Sequence, residues 1–119
     1  MATIEAQLIP HGYSHIAEIW KWTGVTEADE CLPAQVPHKA DKTVQVVGDF
    51  GTGGAIDIEG AALPQGLETD FALLDDTNGN AMTILTKKPL VVAPNVSRLR
   101  PRPSAGTDVL VDIVLVITG

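Results

Sequence analysis

Thr43-Val44-Gln45-Val46-Val47-Gly48-Asp49-Phe50, then Gly51-Thr52-Gly53-Gly54, then Ala55-Ile56-Asp57-Ile58-Glu59-Gly60: the reading of this run decides the fold. A β-branched apolar stretch, a glycine-rich break and a clean alternation of Ile with carboxylates make two strands and a turn. In the second strand Ile56 and Ile58 face one way while Asp57 and Glu59 face the other, so the carboxylates are expected on a solvent face.

The same grammar continues toward the C-terminus. Phe71-Ala72-Leu73-Leu74 and Ala81-Met82-Thr83-Ile84-Leu85 flank Asp76-Thr77-Asn78-Gly79-Asn80. Within that turn Asn78-Gly79 readily supplies the two φ > 0 positions of a tight hairpin. Strands are expected over residues 90–93 and 96–102, with Pro103-Ser104-Ala105-Gly106 as the next turn. The last strand, residues 108–118, carries Val109, Val111, Ile113, Leu115 and Ile117 on one face. Its other face holds Leu110, Val114 and Val116 and is interrupted only by Asp112. A strand apolar on both sides is either central or docked on a partner.

Toward the N-terminus, residues 3–9 alternate as a half-buried strand closed by Pro10 and Gly12. Residues 13–22 would gather Ile16, Ile19 and Trp20 as a helix, or align Ile16, Trp20 and Trp22 as a strand; the strand is preferred, ending at Thr23-Gly24. Residues 26–41 lack a period, contain Pro33 and Pro37 and cluster Glu27, Asp29 and Glu30, which reads as a long loop. The expected fold class is all-β: a single antiparallel β-sandwich or jelly-roll-like domain over residues 1–119 with a long loop in its N-terminal half. Within it, residues 1–22 form N-terminal strands or an arm, 26–41 the irregular loop and 42–118 the strand core.

Composition bounds the function. A chain of 119 residues fits one domain and buries about 65% of the surface it exposes unfolded. Its apolar content is 45%, yet the aromatic residues are two Trp, two Phe and one Tyr, so Val, Ile, Leu and Ala must fill the core. The net charge of −7 argues against non-specific nucleic-acid or anionic-membrane binding. Cys31 is the sole cysteine, so no intrachain disulfide forms; it reads as a small buried or semi-exposed residue rather than a nucleophile. No signal peptide or membrane-spanning stretch is visible, which leads us to expect synthesis in the cytoplasm.

No reactive constellation assembles. His11 and His15 are four apart, roughly 13 Å on a strand, too far to share a metal; with Cys31 and His38 they would need the long loop to fold back. Asp76, Asn78 and Asn80 resemble the start of a calcium loop, but the acidic ligand further along is missing and a hairpin explains the residues. Asp75-Asp76 and the Asp57/Glu59 pair would serve acid–base chemistry only across a cleft. Residues 51–54 introduce no helix and so make no phosphate cradle. Catalytic, cofactor and metal residues are therefore expected to be absent.

The sharpest polar feature is Arg98, Arg100 and Arg102, at a period of two on a strand that Pro101 and Pro103 keep from being fully paired. They either pair with carboxylates of the same domain or form a stripe that docks on an acidic surface, including another copy of the chain. Trp20 and Trp22 divide in the same way between core and interface anchor. The candidate interface is thus Arg98, Arg100, Arg102, Trp20, Trp22, Leu110, Val114 and Val116. If the arginines serve docking, their replacement by Ala should leave folding intact.

The order of segments adds a resemblance. Trp22-Thr23-Gly24-Val25-Thr26, Leu32-Pro33, the run from Ala40 through Gly51, and Ile56-Asp57-Ile58-Glu59-Gly60 follow one another. Phe71-Ala72-Leu73-Leu74-Asp75-Asp76, Gly79-Asn80-Ala81, Thr83, Pro94 and Arg98-Leu99-Arg100-Pro101 then continue the series. Over residues 20–119 this resembles the small capsid decoration, or cement, proteins of tailed bacteriophages. The resemblance implies a non-enzymatic β-sandwich on the virion exterior. It implies the major capsid protein of a phage head as partner, self-association as a homotrimer in preference to a dimer, and contact with neither nucleic acid nor membrane. The alternatives are a tail or baseplate component, a virion carbohydrate-binding module using Trp20/Trp22, or a small jelly-roll enzyme.

Overall fold

The computed structural model describes residues 2–36 and 41–118. Among them lie twelve strands: β1 (Thr3–Ile4), β2 (Gln7–Leu8), β3 (Ile16–Val25), β4 (Glu30–Cys31), β5 (Ala34–Gln35), β6 (Asp41–Asp49), β7 (Thr52–Ala61), β8 (Ala72–Leu73), β9 (Thr83–Ile84), β10 (Leu90–Val91), β11 (Arg98–Thr107) and β12 (Leu110–Thr118). One sheet runs β10-β6-β12-β3-β2; the second runs β5-β11-β7-β8, with β9 also on β7. Both are antiparallel, and they pack face to face as an all-β sandwich. The short β1–β4 pair is parallel.

The opening run forms half of a single bent ribbon. Strands β6 and β12 pair from Thr118↔Asp41 to Leu110↔Asp49, and β7 and β11 resume from Thr107↔Thr52 to Arg98↔Ala61. Two tight corners, Phe50–Gly51 and Asp108–Val109, fold this ribbon over so that its halves become opposite layers. At Gly51 and Gly54 the packing leaves no room for a Cβ. Gly51 sits at φ +60, and a Cβ there would collide with the backbone of Thr107 and Asp108. A Cβ on Gly54 would strike the carbonyl of Phe50. Asp108 itself holds φ +57, a conformation Asp tolerates better than most residues.

The core lies between the layers. Ile113, Leu115 and Ile117 of β12 meet Ile56 and Ile58 of β7 and Leu99 of β11, all fully buried. The doubly apolar last strand is central, as one of its two readings required. One face enters the core and the other lies on the outside of its sheet.

Several boundaries differ from the sequence expectation. Residues 3–9 break into β1 and β2, because the first half follows β4 and the second follows β3. Strand β3 does not stop at Thr23-Gly24. Gly24 takes φ +68 in a bulge, and its N–H is accepted by the Asp112 carboxylate at 2.9 Å in place of a ladder carbonyl, so the strand reaches Val25. The loop over 26–41 is not wholly irregular: β4 and β5 lie within it and carry the chain from one layer to the other. Residues 103–106 are not a turn but the bulged end of β11; the chain reverses at Asp108–Val109.

Of the glycine-rich break read as a turn, Thr52–Gly54 already belong to β7, and Gly51 alone is left at the corner. At the Asn78-Gly79 turn only Gly79 has positive φ, +81. The Gly79 N–H bonds to the Asp76 carbonyl and the Asp76 N–H to the Asn80 carbonyl, a three-residue loop rather than a two-residue one.

Candidate functional site

The two sandwich layers present contrasting outer faces. On the β11–β7 layer, cross-strand register sets Glu59 between Arg100 and Leu73, and Asp57 between Arg102 and Thr83. Glu59 bridges both guanidiniums, with Arg100 Nε at 3.0 Å from Oε1 and Arg102 Nε at 3.1 Å from Oε2. Arg102 Nη2 reaches Asp57 Oδ2 at 3.3 Å. Asp57 Oδ1 also accepts from Thr83 Oγ1 at 2.8 Å and from Ser104 Oγ at 3.2 Å. The carboxylates expected on a solvent face are therefore nearly enclosed: Asp57 is 9% exposed, because arginines from the neighbouring strand lie across it.

A strap over residues 62–71 closes the upper end of this ladder. Ser97 Oγ donates to the Ala62 carbonyl at 2.7 Å, Arg98 Nε to the Leu63 carbonyl at 2.9 Å and Gln35 Nε2 to the Pro64 carbonyl at 3.0 Å. Glu68 at its far end pairs with Arg100. The Phe71 ring lies under both guanidiniums, 4.8 Å from Arg98 and 4.1 Å from Arg100, within cation–π range. Burial pulls the Arg100 pKa down, but hydrogen bonds and charge from Glu68 and Glu59 outweigh it, and the guanidinium is held more firmly charged. Arg98 is buried. Its Nη2 stands 4.0 Å from Asp70 Oδ2, beyond hydrogen-bond reach, and has no hydrogen-bond partner among the described residues.

The arginine series thus takes the first of its two readings, pairing within the domain. Each side chain ties strands or strap together, so the condition on which removal of all three would spare folding is not met, and their replacement by Ala is expected to cost stability. Arg102, 55% exposed at its side chain, is the member that still meets solvent. The edge of β11 beyond β5 is blunted by Pro101 and Pro103, which carry no N–H and cannot recruit another strand.

The outer face of the β6–β12–β3 layer is different in kind. One row across the strands reads Val91, Thr43, Val116, Ile19; the next reads Gln45, Val114, Lys21, Gln7. Val47 pairs with Asp112 beyond them. These valines and Ile19 are half-buried or exposed, and Leu110 at the strand end is 57% exposed. The ion pair on this face is Lys21–Asp112 at 3.5 Å. Of the residues expected at an interface, Leu110, Val114 and Val116 lie here.

The tryptophans separate. Trp22 is fully buried and donates Nε1–H to the Leu32 carbonyl at 2.8 Å, which removes it from any surface and dismantles the Trp20/Trp22 platform. Trp20 is half-buried against the core and donates to Glu18 Oε1 at 3.2 Å. Cys31 is buried, and burial, reinforced by Asp29 and Glu30, pushes its thiol up to about 12. It is a protonated thiol at neutral pH, not a poised nucleophile. His11 and His15 flank Tyr13 instead of facing each other. Among the described residues no group of three His, Cys, Asp or Glu side chains is placed to hold a metal; His38 and Pro37 lie outside those residues. Asp76 Oδ1 accepts the Asn78 and Asn80 N–H groups at 2.9 and 3.0 Å, so the calcium-like sequence is occupied as a hairpin cap.

Some contributors had no sequence signal. The acidic loop acts as a clasp: Glu27 accepts both N–H groups of the Asp108–Val109 corner at 3.0 and 3.2 Å, and Asp29 holds the Ala2 and Thr26 N–H groups at 3.1 and 2.9 Å. Glu68 and Phe71 likewise enter the ladder only because the strap folds back.

Fold and site together define a two-layer antiparallel β-sandwich with one electrostatically closed face and one open aliphatic face. No protein-family model, no curated protein and no solved structure matches the chain. No helix among the described residues is long and apolar enough to cross a membrane.

Proposed function

We propose that this chain is a viral structural protein of the capsid decoration type. It attaches to the outside of a phage head and associates with copies of itself to stabilise the shell. The observation that carries the reading is the open face of the β6–β12–β3 layer. In a chain of net charge −7, this face sets Val114, Val116 and Ile19 in adjoining rows around one neutralising ion pair. A monomer stays soluble with such a broken aliphatic surface, yet it gains apolar burial on assembly. Weak single contacts suffice when a shell presents many copies. The resemblance of the segment order to phage decoration proteins is what points to a phage head; the physical chemistry supports only the kind of surface.

The test is attachment to heads that lack the protein. Val114→Glu/Val116→Glu places two carboxylates on the open face at positions already facing solvent. It should keep the wild-type fold by circular dichroism and lose occupancy on purified heads. Full occupancy by this variant would remove the open face from the contact. Failure of the wild-type chain to bind any phage head, with binding to tails instead, would favour the baseplate alternative.

A further inference from the structure

The hairpin joining β2 to β3 carries a feature that the assembly face does not use. A cleft of about 380 Å³ opens beside it, walled by Leu8, Ile9, Pro10 and Ala17, with His11 and Glu18 at its polar side. Leu8 is 53% exposed and Tyr13 61%. Tyr13 is stacked on His11, with ring centroids 6.0 Å apart and planes 16° apart, and the His15 ring lies tilted to it at 6.3 Å. His11 Nδ1 accepts the Tyr13 backbone N–H at 3.2 Å, which fixes the stack. Glu18 receives Trp20 Nε1–H on Oε1, and no ion pair joins it to any described residue.

From this geometry we infer that the cleft is a receptor for a basic side chain, Lys or Arg, presented by the partner protein. Its aliphatic walls suit a methylene stem, and its carboxylate suits the terminal cation. Lys and Arg bury their stems on apolar surface while keeping the charged head paired or wet. Charge favours this occupant over an acidic or neutral one, since the chain is acidic overall and the carboxylate lacks a described counter-ion. The inference rests on the decoration reading only for the statement that the basic residue belongs to the shell.

Trp20 is a built-in reporter, because its indole N–H is bonded to the carboxylate that would receive the cation, while the buried Trp22 indole is an internal reference. The experiment titrates ¹⁵N-labelled protein with N-acetyl-lysine methylamide and follows both indole resonances. The Trp20 signal should shift saturably with a Kd of about 1 mM, the range a fragment of this size reaches, and Trp22 should stay still. The norleucine analogue, with the stem but no ammonium, should bind at least about tenfold more weakly. Glu18→Gln keeps a carbonyl for Trp20 and should weaken the lysine probe by a similar factor.

Absence of a saturable shift to 20-fold above the expected Kd would overturn the inference, as would equal binding of norleucine or an unchanged titration in Glu18→Gln. A methyl glycoside that shifts Trp20 when lysine does not would overturn it in favour of a sugar cleft. The titration needs no virion. A positive result beside failed head attachment dismisses the decoration reading alone, and the reverse dismisses the cleft alone.

Discussion

The two outer faces of the sandwich invert what polarity alone would suggest. The β7–β11 face is written in charges, with Asp57, Glu59, Arg100 and Arg102 at alternate positions, yet those charges satisfy one another and a strap covers one end. The β6–β12–β3 face is written largely in Val, Ile, Thr and Gln, yet it is the one left open. A charged face can close on itself because each arginine finds a carboxylate one strand away. An aliphatic face has no such internal completion, and only a second surface can cover it.

The sharpest way to break this contrast is within one strand. Leu115 and Val114 are neighbours on β12, one fully buried and one on the open face. Leu115→Ala should cost about 3 kcal/mol of unfolding free energy by the usual cost of a buried cavity. Val114→Thr, nearly the same size and outward, should stay within about 0.5 kcal/mol. Urea denaturation of both variants decides it; comparable losses would mean that the outer face is also packed.

Across the two faces, Glu59→Gln removes the charge that bridges Arg100 and Arg102 in a largely enclosed setting. It should cost about 2–3 kcal/mol, somewhat less than a fully buried ion pair because Arg102 is half exposed. On the open face Lys21→Gln should cost under about 1 kcal/mol, as exposed pairs do. If the two losses are equal in urea melts, the ladder is no more closed than the open face.

The corner where the faces meet responds to pH. Glu27 lies below its usual value of 4.5, held there first by a hydrogen bond to its own backbone and then by the Val109 and Asp108 N–H groups. For Asp29, below its usual 3.8, burial acts upward, but hydrogen bonds from Thr26 and Ala2 and the N-terminal charge outweigh it. Folded-state values below the unfolded ones mean stability that is present above about pH 4.5 and lost as pH falls through the folded values. The denaturation midpoint should therefore drop on acidification below that point. In Glu27→Gln/Asp29→Asn the drop should be shallower, a small effect read by the difference between the two pH curves. Parallel curves would show that the clasp does not contribute.

The strand grammar of residues 43–60 and 108–118 was readable because period and turn chemistry are local properties. Ile56 and Ile58 entered the core and the last strand ran through the middle of its sheet, as their patterns require. The fate of the polar groups was less legible. Alternation tells which side of a strand Asp57 faces, but not that Arg102 of a segment 45 residues away will cover it. Nor does a lone Phe71 announce that it will lie beneath two guanidiniums.

Residue order and spacing were enough to set an all-β chain, its longest strands and the inward side of each. Which outward side would be closed, and which left open, depended on long-range register. Bending one ribbon at Phe50–Gly51 and Asp108–Val109 set Arg100 and Arg102 opposite Glu59 and Asp57, and left Val114 and Val116 facing out. Local pattern fixes a side chain's direction, whereas its neighbours across the sheet are fixed only once distant strands have found their pairing.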